Sequence, residues 1–117
     1  MDLDILHQYC MQKLGAEACF PFDQTTLVFK VFGKMFALVD ADTFESINLK
    51  CDPERAIDLR ERYSAVQPGF HMNHKHWNTI SFHTDLADAH IFELIDHSYQ
   101  LVYSGLPKKI RDENPLG

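Results

Sequence analysis

An antiparallel sheet with helices packed on one face, an α+β fold forming a two-layer sandwich, is what this chain predicts, and three observations carry the prediction. Three strand-like segments follow one another before the second helical pattern, giving the order α-β-β-β-α-β-α. A two-residue Gly33-Lys34 junction between the first two of them suits a tight antiparallel hairpin. The 117 residues, 45% hydrophobic and 24% charged, match one soluble domain with one core, with no repeat or interdomain linker.

Each element rests on a local pattern. In residues 2–14, Leu3, Leu6, Tyr9, Cys10 and Leu14 recur at helical spacing, with Asp2 and Asp4 at the dipole-favoured end and Gly15 as the stop. Residues 16–24, which contain Pro21, read as an irregular connection. Residues 25–32 and 35–39 are rich in β-branched and aromatic side chains and predict paired strands. Residues 46–50 alternate polar and apolar and add a third strand. Asp52, Pro53 and Glu54 form a helix start, with Ala56, Leu59, Arg60 and Tyr63 on one face, and Pro68-Gly69 is a turn.

Residues 78–83 alternate again, with Ile80 and Phe82 facing one way. Asp85 is placed to cap the longest helix, whose stripe is Ala87, Ile91, Leu94, Ile95, Ser98, Tyr99 and Val102, leaving Asp88, Glu93 and Asp96 to water. Gly105 ends it. Pro107 opens a final turn with Lys108, Lys109 and Arg111, and residues 112–117 predict a frayed tail.

Composition narrows the function. Three cysteines, Cys10, Cys19 and Cys51, without a C-x-x-C pair argue against a disulfide framework or cysteine zinc site. No apolar run reaches membrane-spanning length and no signal-peptide pattern opens the chain, so a cytoplasmic location and no membrane partner are expected. A net charge of −6 opposes non-specific attraction to polyanions, although protonating all seven histidines would carry the sum from −6 to +1.

The site-like density lies in residues 70–79, Phe-His-Met-Asn-His-Lys-His-Trp-Asn-Thr, which hold three histidines, the single Trp and two amides. His71, His74 and His76 lack the spacing of common metal signatures, so no metal and no cofactor are expected. Neither a G-x-S-x-G elbow nor a glycine-rich phosphate loop is present, which argues against an enzyme. No acidic residue occurs between Tyr63 and Thr84, making a locally neutral-to-basic island. There Lys75 can neutralise a phosphate, Asn73 and Asn78 can read hydrogen-bonding edges, and His76 or Trp77 can stack on a base. The competing expectation is that Trp77 packs in the core and Asn73 caps a turn.

His71-Met72-Asn73, His76-Trp77-Asn78-Thr79, Ser98-Tyr99 and Leu106-Pro107-Lys108-Lys109 with Arg111 together resemble the MmcQ/YjbR family of small bacterial proteins. The likeness extends to Tyr9-Cys10, Gly15-Ala16-Glu17 and residues 46–51. It implies a sandwich similar to the CyaY (frataxin-like) fold and a DNA-binding role through a double-wing arrangement. The chain departs from the family pattern in having His74 where Lys directly follows the Asn, with Lys75 one place later, which turns that cation to the other face of an extended segment.

The expectation is thus a non-enzymatic DNA-binding protein using His71, Asn73, Lys75, His76, Trp77 and Asn78, with Lys108, Lys109 and Arg111 as further phosphate contacts. The alternative is a small-molecule or protein-interaction module in which the same motif lines a pocket.

Overall fold

The computed structural model describes residues 1–116. Ten elements follow in chain order: α1 (Leu3–Met11), β1 (Ala16–Cys19), β2 (Thr26–Val31), β3 (Lys34–Asp40), β4 (Ser46–Lys50), α2 (Pro53–Arg62), β5 (Val66–Pro68), β6 (Trp77–Ser81), α3 (Asp88–Ser104) and α4 (Lys108–Glu113). The six strands form one antiparallel sheet in the order β1-β2-β3-β4-β6-β5. Helices cover one face of it, and α3 lies across the central strands.

The core fills the space between that face and the helices. Phe29, Phe36, Val39, Ile47, Leu49 and Ile80 from the strands meet Leu6, Cys10, Ala56, Leu59, Ile91, Ile95 and Tyr99 from the helices. Phe36 stands edge-on to Tyr99, with ring centroids 5.4 Å apart, which ties β3 to α3.

A bulge shapes the centre of the sheet. Phe29 pairs with Ala37 and Lys30 with Met35, so Phe36 is the extra residue on β3 and turns its ring into the core beside Ala37. The buried Ser98 hydroxyl answers for the groups around the bulge. It donates to the Phe36 carbonyl at 2.6 Å and accepts the Lys50 N–H at 2.9 Å, joining α3 to β3 and β4.

Several expectations need correction. Residues 16–24 are not wholly irregular: β1 pairs with β2 as an edge strand. Val66–Pro68 forms the other edge, a three-residue strand ending in proline. The hairpin turn lies one place earlier than expected, at Phe32-Gly33, both with positive φ (46° and 85°), and Lys34 already pairs with Val31.

Asp85 does not cap α3, whose N-cap position is Ala87 without a side-chain bond. Its carboxylate instead accepts from the N–H groups of Ser64 and Ala65 at 2.8 and 2.9 Å, fastening the α2–β5 connection. Asp96 is not simply solvated. It accepts from the Tyr9 hydroxyl at 2.7 Å and pairs with Lys13 at 2.5 Å, clipping α1 to α3. Residues 112–114 are held rather than frayed, because α4 runs to Glu113 and the Tyr103 hydroxyl donates to the Asn114 carbonyl at 2.7 Å. Gly117 lies outside the described residues.

Candidate functional site on the open sheet face

Strand periodicity assigns the side chains of the helix-free face. Core-facing positions in each strand alternate with outward ones, and the register lines these up in rows. One row runs Cys19, Val28, Leu38, Asn48, Thr79, Gln67. Towards one end of the strands, the next row holds Glu17, Lys30, Met35, Lys50 and Trp77, with Lys50 directly opposite Trp77. Towards the other end lie Thr26 opposite Asp40 and Ser46 opposite Ser81. The open face is therefore cationic and aromatic at one end and acidic at the other.

The histidine segment folds over this face. Gly69 N–H donates to the Trp77 carbonyl at 2.9 Å, and a Cβ at position 69 would lie 2.9 Å from the Cβ of Trp77, so the chain reverses there only with glycine. Phe70 N–H donates to Thr79 Oγ1 at 2.9 Å, and that hydroxyl donates to Asn48 Oδ1 at 2.5 Å. His71 follows in the left-handed region, at φ 58°. Asn73 closes a turn: its Oδ1 accepts from Lys75 N–H at 2.8 Å, and its carbonyl accepts from Trp77 N–H at 3.0 Å. His76 is then fixed through its carbonyl, which accepts from Cys51 N–H at 2.7 Å.

From the helix side, Arg60 of α2 braces the same segment. Its Nε donates to Asn78 Oδ1 at 2.7 Å and its Nη2 to the carbonyls of His74 and Trp77. Asn78 is 1% exposed, and its amide donates to the Ala56 carbonyl. Asn78 is therefore corrected from a base-reading group to a structural one, because its neighbours in the protein occupy its hydrogen-bonding atoms. Arg60 was not singled out as functional. The signal was there, since helical spacing put this cation on the inward face of α2 with Ala56 and Leu59.

His71, Asn73 and Lys75 are exposed, while His76 and Trp77 are half-buried. Lys108, Lys109 and Arg111 do not join them. Their helix belongs to the opposite layer, with Ile110 against the core, Lys108 paired to Asp112 at 2.7 Å and Arg111 Nε donating to the Leu106 carbonyl at 3.0 Å. Lys30 and Lys50, which sequence reasoning passed over, stand on the same face as Trp77. Their polar character amid core-facing neighbours was the signal available.

At the acidic end, the loop before β2, the β3–β4 turn and residues 70–72 enclose a cleft of about 630 Å³. Met35, Leu38 and Val39 contribute apolar surface, and Phe22, Phe70, His71 and Met72 rise beside them. Asp23, Asp40 and Glu45 line it as well. Four Asp23 contacts from Thr25 and Thr26 hold its carboxyl below the usual range, chiefly the Thr26 and Thr25 N–H bonds.

Elsewhere, burial pushes the Cys10 thiol up to about 12 and the Cys51 thiol to about 11, so both remain protonated at neutral pH. Burial lowers the pKa of His97, and the nearby Arg55 adds to the effect against the opposing pull of Asp52; its Nε2 accepts the Asp52 N–H at 3.1 Å. Among the described residues, no three of His, Cys, Asp and Glu are grouped to hold a metal ion. Nor is any helix there long and apolar enough to cross a membrane.

Comparison with known proteins agrees with this architecture. Residues 11–101 match the YjbR family model. The chain is 38% identical over 112 residues to the Escherichia coli (strain K12) protein YjbR, covering 95% of each, and 34% identical over 114 residues to YbdF of Escherichia coli O157:H7, covering 93% of each. The crystal structure of Deinococcus radiodurans protein DR2400, of the DUF419 family-model domain, superposes with a TM-score of 0.91 at 36% identity, covering 99% of this chain and 89% of that one. A Pseudomonas syringae crystal structure gives 0.73 at 26% identity, covering 87% and 99%. With the family model spanning both the sheet and α3, this chain belongs to the YjbR family.

Proposed function

We propose that the protein binds DNA through the cationic end of its open sheet face, without catalysing a reaction. The observation that carries this reading is the register that sets Trp77 opposite Lys50, in one row with Lys30 and next to the turn bearing Lys75 and His76. Strands in a sheet lie about 4.8 Å apart, so Lys30 and Lys50, two strands apart, are spaced by about 10 Å and can meet different phosphates. Among the described residues no carboxylate forms a close ion pair with Lys30, Lys50 or Lys75, although Glu17 stands opposite Lys30 in register, so Lys50 and Lys75 carry the charge most available to a ligand. Trp77 supplies a stacking surface for an unpaired or splayed base, and His71 and Asn73 add exposed hydrogen-bonding groups.

The overall negative charge makes such binding local and salt-sensitive. Trp77 is the single tryptophan, so its fluorescence reports the site directly. Titration with single-stranded and duplex DNA at several salt concentrations is expected to quench it, with an affinity falling on a log–log slope of about −2 to −3 for three phosphate contacts. Lys50→Ala is expected to reduce that slope by about one. A response that ignores salt, or an unchanged slope in Lys30→Ala, Lys50→Ala and Lys75→Ala alike, would overturn the proposal.

A further inference from the structure

The acidic end of the open face has a separate character, and we infer that its cleft is a binding site for a small organic cation, an amine or guanidinium carried on an apolar body. The cleft volume of about 630 Å³ falls in the range of small-ligand sites, and its surface combines apolar side chains with a few polar ones. Leu38, 7% exposed, and Met35 form an apolar bed, so the occupant needs an apolar part. Phe70 and Phe22 are 58% and 65% exposed, an unusual state for two phenylalanines facing one cavity. Their ring faces attract a cation as well as apolar atoms.

Charge selects among apolar ligands. Asp23, Asp40 and Glu45 line the cleft and neither Lys nor Arg does, leaving the exposed His71 as the single basic side chain there. Asp23 is committed to its Thr25 and Thr26 contacts. In Asp40, Oδ1 accepts the N–H groups of Asp42 and Thr43 at 2.9 and 3.0 Å, and among the described residues no bond occupies Oδ2. Nor does any bond or ion pair there engage the Glu45 carboxylate. Asp40 and Glu45 are thus the carboxylates able to receive a cationic head group, and an anion would meet three negative charges.

This site adjoins the proposed DNA-binding surface and shares His71 with it, but Lys30, Lys50 and Trp77, on which that proposal rests, do not line it. The test is calorimetric titration of the whole chain with three matched compounds, 2-phenylethylamine, 2-phenylethanol and phenylacetate. The amine is expected to bind about tenfold more tightly than the alcohol, and phenylacetate not to bind measurably. Asp40→Asn together with Glu45→Gln is expected to erase the preference for the amine, while Phe70→Ala weakens amine and alcohol together. Glu45→Gln alone, on an exposed side chain, provides a variant that stays folded should the Asp40 turn fail. Lys50→Ala should leave amine binding unchanged. Equal binding of amine and alcohol, tighter binding of phenylacetate, or no binding of the amine at millimolar concentration would each overturn the inference.

Discussion

Arg60 shows how a single side chain organises the histidine segment from behind. Its guanidinium joins Asn78 to the carbonyls of His74 and Trp77, and removal would leave the buried Asn78 amide oxygen without its donor, while the Trp77 carbonyl keeps the Gly69 N–H. Arg60→Ala is expected to cost about 2–4 kcal/mol in chemical denaturation. It should also broaden the NMR signals of residues 73–77, whereas Arg60→Lys, lacking the planar fork, recovers only part of the loss. His97 provides a pH dependence of known sign. Its pKa is lower in the folded state than unfolded, so the unfolded chain binds the extra proton. The contribution is complete above the unfolded value of about 6.5 and is lost as pH falls through that value towards the folded one. Thermal melts should show midpoints falling below about pH 6.5, and His97→Gln should flatten that part of the profile.

Among the elements, α3 is coupled to the sheet through Ser98, whose hydroxyl serves both the bulged residue Phe36 and Lys50. Ser98→Ala is expected to destabilise by about 1–3 kcal/mol, measured by denaturant midpoint, because two buried backbone groups lose their partner. The tight approach of the α1–β1 turn to the β2–β3 hairpin is equally specific. Gly15 sits at φ 72°, and a Cβ there would be 2.4 Å from the Phe32 ring. Gly15→Ala should therefore cost more than the roughly 1 kcal/mol of a positive-φ glycine replacement.

The central strands and the three longer helices were legible from periodicity because each buries a full apolar stripe. The edge strands were not. Ala16-Glu17-Ala18-Cys19 has small side chains of weak β propensity, and Val66-Gln67-Pro68 is too short to show a period; both owe their extended form to a neighbour already in place. The turn was displaced by one residue because Phe32, a bulky side chain, accepts the left-handed backbone that glycine usually takes. At the site, the local density at 70–79 was readable, but its division between surface and interior was not. Only the register distinguishes the outward Trp77 from the inward Asn78, and only the layer arrangement separates Lys108 and Lys109 from both.

For the whole molecule, the open face reads as a dipolar surface: Lys30, Lys50 and Lys75 near Trp77, and Asp23, Asp40 and Glu45 around the cleft. A polyanion approaching this face is steered to one end and repelled at the other. Neutralising Asp40 and Glu45 should therefore speed DNA association modestly at low salt and have no effect at high salt, a difference that stopped-flow fluorescence of Trp77 would resolve. Acidification acts on the framework behind this face: protonating His97 loosens the α2–α3 contact, so acid weakens the scaffold that carries the Trp77 row.

The two rims of the sheet have one more implication. Proline 68 removes a hydrogen-bond donor from a border only three residues long, and the other border is four residues long with exposed Glu17 among them. Neither offers a long template for a further chain to add in register, so ribbon-like growth into fibrils is disfavoured. Any pairing of copies is left to the broad faces of the molecule rather than to its strand borders.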